Sequence, residues 1–243
     1  MQEGVNENEI ILKEFFEENN SAFDKMKEFG ELMMRYNSAI REVRTKFEVL
    51  NDELSLKTSR NPIESIQSRV KKPMSIAKKL HKLGKEVTID NIANELNDVA
   101  GIRVICSFID DIYRVADMLA KQDDIKVVTV KDYIKKPKPN GYRSYHMIVE
   151  IPVFFSDSKQ IMRVEIQIRT VAMDFWASLE HQMKYKKESA DRPEIAAELK
   201  SCAEVIAATD ARMQGIRKRI ESLNEGEEKS NSFLKENFAD KAI

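Results

Sequence analysis

The sequence predicts an α+β fold, a mixed β-sheet flanked by helices with helical extensions at both ends, and three observations carry that reading. Stretches with apolar residues at helical spacing open and close the 243-residue chain, whereas its middle is rich in β-branched and aromatic residues that partly alternate. Hydrophobic residues make up 42% and charged residues 33%, a globular composition enriched in charge and long enough to bury a sizeable core. No apolar segment approaches the roughly 20 residues a membrane span needs, and the first ten residues are acidic where a secretory leader would be basic. Cys106 and Cys202 lie far apart, with Cys106 inside the apolar run "GIRVICSF", so the expectation is a reduced, cytoplasmic protein without a disulfide framework.

From about Glu7 to Glu53, Ile11, Leu12, Phe15, Phe16, Met33, Met34, Tyr36, Ile40, Val43, Phe47 and Leu50 recur at helical spacing, and Gly30 is the one break, which predicts two or three helices. "NPIE" resembles a helix start, with Asn61 as N-cap, Pro62 in the first helical position and Glu64 completing a box-like pattern. Pro73 then restarts or kinks that helix and Gly84 ends it. "TIDNIANEL" and "IDDIYRVADMLAK" read as helices; "VAGIRVICSF", "IKVVTVKDYI", "YRSYHMIVEIPV" and "MRVEIQIRT" read as four strands. Helical spacing resumes at "VAMDFWASLEHQMKYKK" and again, rich in alanine, from about Pro193 to Leu223, before a polar tail that reads as a linker to one short helix.

The net charge of −1 conceals an asymmetry. Residues 1–24 carry seven acidic side chains and one lysine, and residues 57–85 carry nine Lys or Arg and one Glu, so the second stretch is the one that would meet an anion. Lys71, Ser75 and Lys79, four residues apart, would share one helical face, with Ser75 in the first turn after Pro73, where free amides and the helix dipole attract phosphate. Such a run is also what a solvated face looks like.

Strand parity sorts the middle of the chain. In "RVEIQIR", Val164, Ile166 and Ile168 point one way and Arg163, Glu165, Gln167 and Arg169 the other, and in "YRSYHMIVEI" the same parity groups Tyr142, Ser144 and His146. Each polar row is either an exposed face or the floor of a polar site. Asp98, between a helix and a strand, sits where ligand sites of open sheets commonly lie, and with Glu165 it could hold magnesium, though a turn aspartate bonding its own backbone reads the same way. Gly141 permits the backbone geometry needed to enter a strand from the "KKPKPN" turn, and Tyr142 then offers a flat ring beside Lys138 and His146, suited to a stacked nucleobase or simply to strand packing. There is no G-x-x-x-x-G-K-[ST] loop and no G-x-G-x-x-G among only seven glycines, so side chains must do most of the holding of any polyphosphate. His81, His146 and His181 lack zinc-ligand spacing.

"SRVKKPMSIAKKL", "NDVAGIRVICSF", "DYIKKPKPNGYRSYH" and "VEIQIRTVAMDFWASLEH" together resemble the successive motifs of the RelA/SpoT-type alarmone synthetase domain. With no region for a hydrolase or for ribosome binding, the chain is similar to the small, stand-alone members. The resemblance divides it into a helical extension over 1–56, a synthetase domain over 57–190 and a second helical extension over 191–243. It implies transfer of the β,γ-pyrophosphate of ATP to the 3′-hydroxyl of GDP or GTP, with GMP a further acceptor, giving AMP and the alarmones of the stringent response. Carried over position by position, it makes Asp98 and Glu165 the Mg2+ ligands, Glu165 also the activator of the hydroxyl. Arg69 and Arg103 would sandwich adenine, and Lys71, Ser75 and Lys79 would meet the ATP phosphates. Tyr142 would stack on guanine, with Lys131, Lys138, His146 and Gln167 lining the acceptor side. It further implies a homotetramer and, in some members, a single-stranded RNA or alarmone regulator. The two positions that carry an aromatic and an amide in regulated members are Ser65 and Asp174 here, and an added carboxylate argues against a polyphosphate at that second site. Two other classes fit some of the residues: a nucleic-acid-binding module and a helical scaffold around a degenerate core.

Overall fold

A computed structural model describes residues 7–58, 60–185 and 193–239, with side chains over 24–57, 60–183 and 193–224. In chain order the elements are α1 (Glu7–Thr58), β1 (Ile63–Val70), α2 (Pro73–Lys82), α3 (Ile89–Glu95), β2 (Ala100–Cys106), α4 (Ile109–Ala120), β3 (Lys126–Asp132), β4 (Tyr145–Phe154), β5 (Lys159–Thr170), α5 (Val171–Tyr185) and α6 (Pro193–Ala239). The strands form one sheet in the order β1-β2-β5-β4-β3. Only β2 and β5 run parallel; the other three pairings are antiparallel, so the sheet is mixed, as the sequence predicts.

One face of the sheet is the core. Ala100, Ile102 and Val104 of β2, Val164, Ile166 and Ile168 of β5, and Met147, Val149 and Ile151 of β4 are buried there, in one apolar cluster with Tyr36, Ala39, Val43, Phe47 and Leu54 of α1 and with Ile112, Val115 and Leu119 of α4. This is the parity read from "RVEIQIR", now explained by the helices that cover it.

Several local expectations change. The two or three N-terminal helices are a single one, α1, which runs straight through Gly30. Gly30 is exposed and costs a helix about 1 kcal/mol, less than the packing of Phe29, Leu32, Met33 and Tyr36 around it recovers. The "NPIE" segment starts no helix: it leads into β1, a fifth strand, whose backbone pairs with β2 from Ile63↔Cys106 to Val70↔Ala100. Asn61 caps nothing there; its side chain takes a hydrogen bond from Ser55 of α1. A strand ladder formed with distant residues has overridden a local capping signal. As a result Lys71 lies in the link before α2, its N–H bonded to the Val99 carbonyl at 2.8 Å, and not on the same helical face as Ser75 and Lys79. The polar tail is also helical, since α6 continues to Ala239.

Other signals hold. Pro73 opens α2 at its first position, and Gly84, with φ +68°, closes it: its N–H reaches the His81 carbonyl at 3.0 Å while that of Lys85 reaches Leu80 at 3.0 Å, the paired bonds of a Schellman motif. Thr88 caps α3 by accepting from the Asn91 N–H at 3.2 Å.

Candidate active site

The face of the sheet away from the core cluster carries two polar rungs, fixed by strand register. Across β1, β2, β5, β4 and β3, one rung reads Arg69, Gly101, Glu165, Ile148, Thr129, and the next reads Gln67, Arg103, Gln167, His146, Lys131. Eight of these ten positions carry polar side chains, on a face whose opposite side is mostly apolar.

Two clefts open on these rungs. The first, of about 220 Å³, is lined by Gln67, Arg69, Gly101, Arg103, Glu165 and Gln167. Gly101 matters to it because a Cβ there would stand 3.8 Å from the Arg69 side chain, so the missing side chain leaves the floor open between the two arginines. The second cleft, of about 320 Å³, includes Lys79, Asp98, Lys131, Tyr133, Lys138, His146 and Glu165 in its lining. Glu165 belongs to both.

Asp98 is the anionic pole of the second cleft. Lys71 and Lys79 both bond its Oδ2, at 2.5 and 2.7 Å. Burial opposes its ionisation, but the hydrogen bonds and attraction of the two lysines outweigh burial and hold its carboxyl below the usual range. Its other oxygen, Oδ1, is buried with no hydrogen-bond partner. A buried carboxylate oxygen with free lone pairs, in a cleft shared with Glu165, suits a hard oxygen-seeking cation. Among the described residues no group of three or more His, Cys, Asp or Glu side chains is placed to hold a metal, and magnesium asks for only one or two carboxylates alongside substrate phosphates.

A hydrogen-bonded chain runs beneath the clefts from Arg169, a side chain only 5% exposed. Its guanidinium donates to the Tyr142 hydroxyl, to Gln167 Oε1 at 3.0 Å and to Asp174 Oδ1 at 3.0 Å. Asp174 also pairs with Arg103 at 3.3 Å. Tyr142 Oη lies 2.8 Å from His146 Nε2, and Gln167 Nε2 donates to Glu165 Oε2 at 3.0 Å. Because Arg169 donates into the tyrosine oxygen, the hydroxyl proton is free to reach His146 Nε2, which leaves the histidine proton on Nδ1, 3.9 Å from Glu165 Oε1. That contact is not an ion pair. Burial, reinforced by Arg169, Lys138 and Lys131, pushes the His146 pKa down to about 3, so the ring is neutral near neutral pH.

The expected residues are thus mostly gathered. Arg69 and Arg103 share the first cleft with Gln167; Lys79, Asp98, Lys131, Lys138 and His146 share the second; Lys71 reaches it through Asp98. Ser75 is exposed in the first turn of α2 and lines neither cleft. The predicted row of Tyr142, Ser144 and His146 divides, because Ser144 is fully buried and its hydroxyl donates to the Ile168 carbonyl at 3.3 Å. Tyr142 is half-buried, with Lys138 Nζ 4.7 Å and Arg169 Cζ 5.0 Å from its ring centre, so cations already occupy the ring that was expected to be open. Two participants carried no assigned role in the sequence: Arg169, although strand parity put it on the polar face, and Tyr133, whose ring stands edge-on to His146 at 5.2 Å beneath Lys138.

A single acidic group shared by two cation-rimmed clefts on an open sheet face, with no glycine-rich loop, defines a class: an α+β domain built to bring two anionic ligands together. The chain belongs to the RelA/SpoT family; the pattern described as "Region found in RelA / SpoT proteins" matches residues 68–190. It is 43% identical over 196 residues to GTP pyrophosphokinase YwaC of Bacillus subtilis, spanning 81% of this chain and 93% of that one. Its fold is similar to the crystal structure of small alarmone synthetase 2 from Bacillus subtilis, with a TM-score of 0.71 and 43% identity over 79% of this chain and 99% of that one. Small alarmone synthetase 1 from the same organism, solved bound to its product pppGpp, gives a TM-score of 0.72 at 33% identity over 80% and 99%.

Proposed function

We propose that the chain is a GTP pyrophosphokinase that transfers the β,γ-pyrophosphate of ATP to the 3′-hydroxyl of GDP or GTP. The observation that carries this reading is the position of Glu165, the one carboxylate lining both clefts. A relative named for the activity and a neighbour holding pppGpp support it.

In this reading the first cleft takes the donor, with adenine between Arg69 and Arg103 over the Gly101 floor. Lys71 and Lys79 turn from Asp98 to the phosphates, and Ser75 meets them at the start of α2. The second cleft takes the acceptor. Lys138 lifts from the Tyr142 ring to the acceptor phosphates and guanine stacks in its place; Lys131 and His146 line the rest, and Gln167, expected on the acceptor side, lies in the first cleft and reaches the second only through its bond to Glu165. Asp98 and Glu165 would hold Mg2+, which when bound would supply charge neutralisation on the transferred group.

The 3′-oxygen attacks the β-phosphorus of ATP, its proton passes to the Glu165 carboxylate, and the bond from that phosphorus to the α,β-bridging oxygen breaks to release AMP. Gln167, bonded to Glu165 Oε2 at 3.0 Å, keeps the carboxylate oriented for that proton. Catalysis of this kind is mostly positioning and electrostatic stabilisation, which suits a site assembled from cations.

The division into a synthetase domain over 57–190 and helical extensions over 1–56 and 191–243 belongs to the same proposal, as do assembly into a homotetramer and residence in the cytoplasm. Assembly is supported by Val171, Phe175, Leu179 and Met183, four exposed apolar residues spaced by four along α5. No described helix is long and apolar enough to cross a membrane. A second alarmone or single-stranded RNA site at Ser65 and Asp174 has less support, since Ser65 offers no ring and Asp174 is engaged by Arg103 and Arg169.

The test is incubation with magnesium, ATP and each of GMP, GDP and GTP, with chromatographic quantitation of AMP and guanosine 3′-pyrophosphate products. AMP and product in equal amounts are expected, and the rate of product formation with each acceptor ranks them. Folded protein that gives no product with any acceptor overturns the proposal.

A further inference from the structure

The loop that presents Tyr142 is pressed against a helix outside the matched family region. Gly141 has φ +87°, and a Cβ built on it would lie 2.6 Å from the Cβ of Ala203 and 3.5 Å from the Lys200 backbone, both on α6. No side chain fits between loop and helix at that point. Around the contact, Tyr142 packs with Trp176 of α5 and with Leu199, Ala203 and Ile206 of α6, a small apolar cluster separate from the main core. Polar contacts fix the same junction: Trp176 Nε1 donates to the Leu199 carbonyl at 2.9 Å, Asn140 Nδ2 to Glu180 Oε1 at 3.0 Å, and Thr170 Oγ1 to the buried Asp210 at 2.6 Å.

We infer that α6 sets the position of the acceptor loop, and that Ala203 is a positioning residue acting through Gly141 on Tyr142. This rests on the proposed role of Tyr142 in holding the guanosine nucleotide. The donor cleft makes no comparable use of α6: its lining comes from β1, β2 and β5. Helix α6 therefore bears on one substrate and not the other. A side chain larger than alanine at 203 must push the 140–142 backbone outward, because glycine at 141 already gives the closest approach the two segments can make. The Tyr142 ring then shifts relative to His146 and Arg169, which hold its hydroxyl. Displacements of about 1 Å at a binding group cost a large factor in effective positioning.

The experiment compares Ala203→Val with Ala208→Val, which places the same β-branched residue at an exposed position of the same helix. GDP binding is measured by equilibrium dialysis, KM for ATP and for the acceptor by product formation, and folding by thermal melting. Ala203→Val is expected to weaken GDP binding and raise the acceptor KM on the order of tenfold. Its KM for ATP should match that of Ala208→Val, and its melting temperature should fall only by the few degrees that overpacking at one buried site costs. Equal GDP binding by the two variants overturns the inference. So does a common loss of GDP binding, ATP binding and thermal stability in Ala203→Val, which would make Ala203 a packing residue only. Wild-type protein that binds GDP but forms no 3′-pyrophosphate sinks the pyrophosphokinase reading alone, while the dialysis comparison still decides the role of Ala203.

Discussion

Glu165 is held in place by a neighbour on its own strand, Gln167, and by the register that puts it beside Gly101 and Ile148. Replacing it by glutamine keeps the shape and removes the proton acceptor. Glu165→Gln should melt like the wild type and lose at least about a hundredfold in turnover in the AMP-release assay. Near-normal turnover would remove Glu165 from the chemistry. His146 makes a different prediction. Its folded pKa, about 3, lies below the ordinary histidine value of about 6.5. Between those values the unfolded chain binds the extra proton, so stability falls as pH drops from 6.5 toward 3 and is constant for this group above 6.5. In His146→Gln, denaturant melts over pH 4–6.5 should show a slope against pH smaller by about one proton than in the wild type. At this scale the sequence was informative wherever alternation alone fixes direction, as for Glu165, Gln167 and His146. It was silent where a contact depends on chain segments meeting. Arg169 follows the same parity, yet nothing local says that it gathers Tyr142, Gln167 and Asp174. The sequence put Lys138 beside the Tyr142 ring, as it is, but nothing in the spacing showed that Arg169 also lies against it.

Among the elements, α1 does more than flank the sheet. Phe47, fully buried, faces the strands with Val43, Leu50 and Leu54 around it. Phe47→Ala should destabilise the fold by about 3–5 kcal/mol in denaturant melts, the usual cost of an emptied aromatic site in a core. A loss under about 1 kcal/mol would mean that α1 is a detachable appendage. Four strands, β2 to β5, were legible beforehand, and β2, β4 and β5 alternate in sequence because one face is covered and one is open. The strand that was missed, β1, lies at an edge: most of its residues are exposed and the bulge between Ile63 and Ser65 breaks its alternation. Its start therefore displayed only the Asn-Pro-x-Glu pattern of a helix cap. The long helix was misread for the converse reason, because Gly30 is a strong local break whose cost is small against tertiary packing.

For the whole molecule, the exposed stripe on α5 is the surface feature that the single chain leaves unexplained. Phe175, 58% exposed, sits in its middle. Phe175→Glu should reduce the assembly to smaller species in light scattering coupled to gel filtration while leaving the melting profile of the chain near that of the wild type. A wild-type protein that already runs as a monomer would refute the tetramer. The order of strands has a separate consequence, in time. Strand β5 lies at the centre of the sheet between β2 and β4, yet it is the last strand in the chain. A nascent chain that has emerged only as far as residue 158 holds two strand pairs, β1 with β2 and β3 with β4, and no strand to join them into one sheet. The parallel partner of β2 begins more than fifty residues after β2 ends, the kind of distant pairing that slows folding. During synthesis the two halves of the reaction centre cannot meet until that last strand slides between them, so an unfinished chain leaving the ribosome should be unable to make the alarmone.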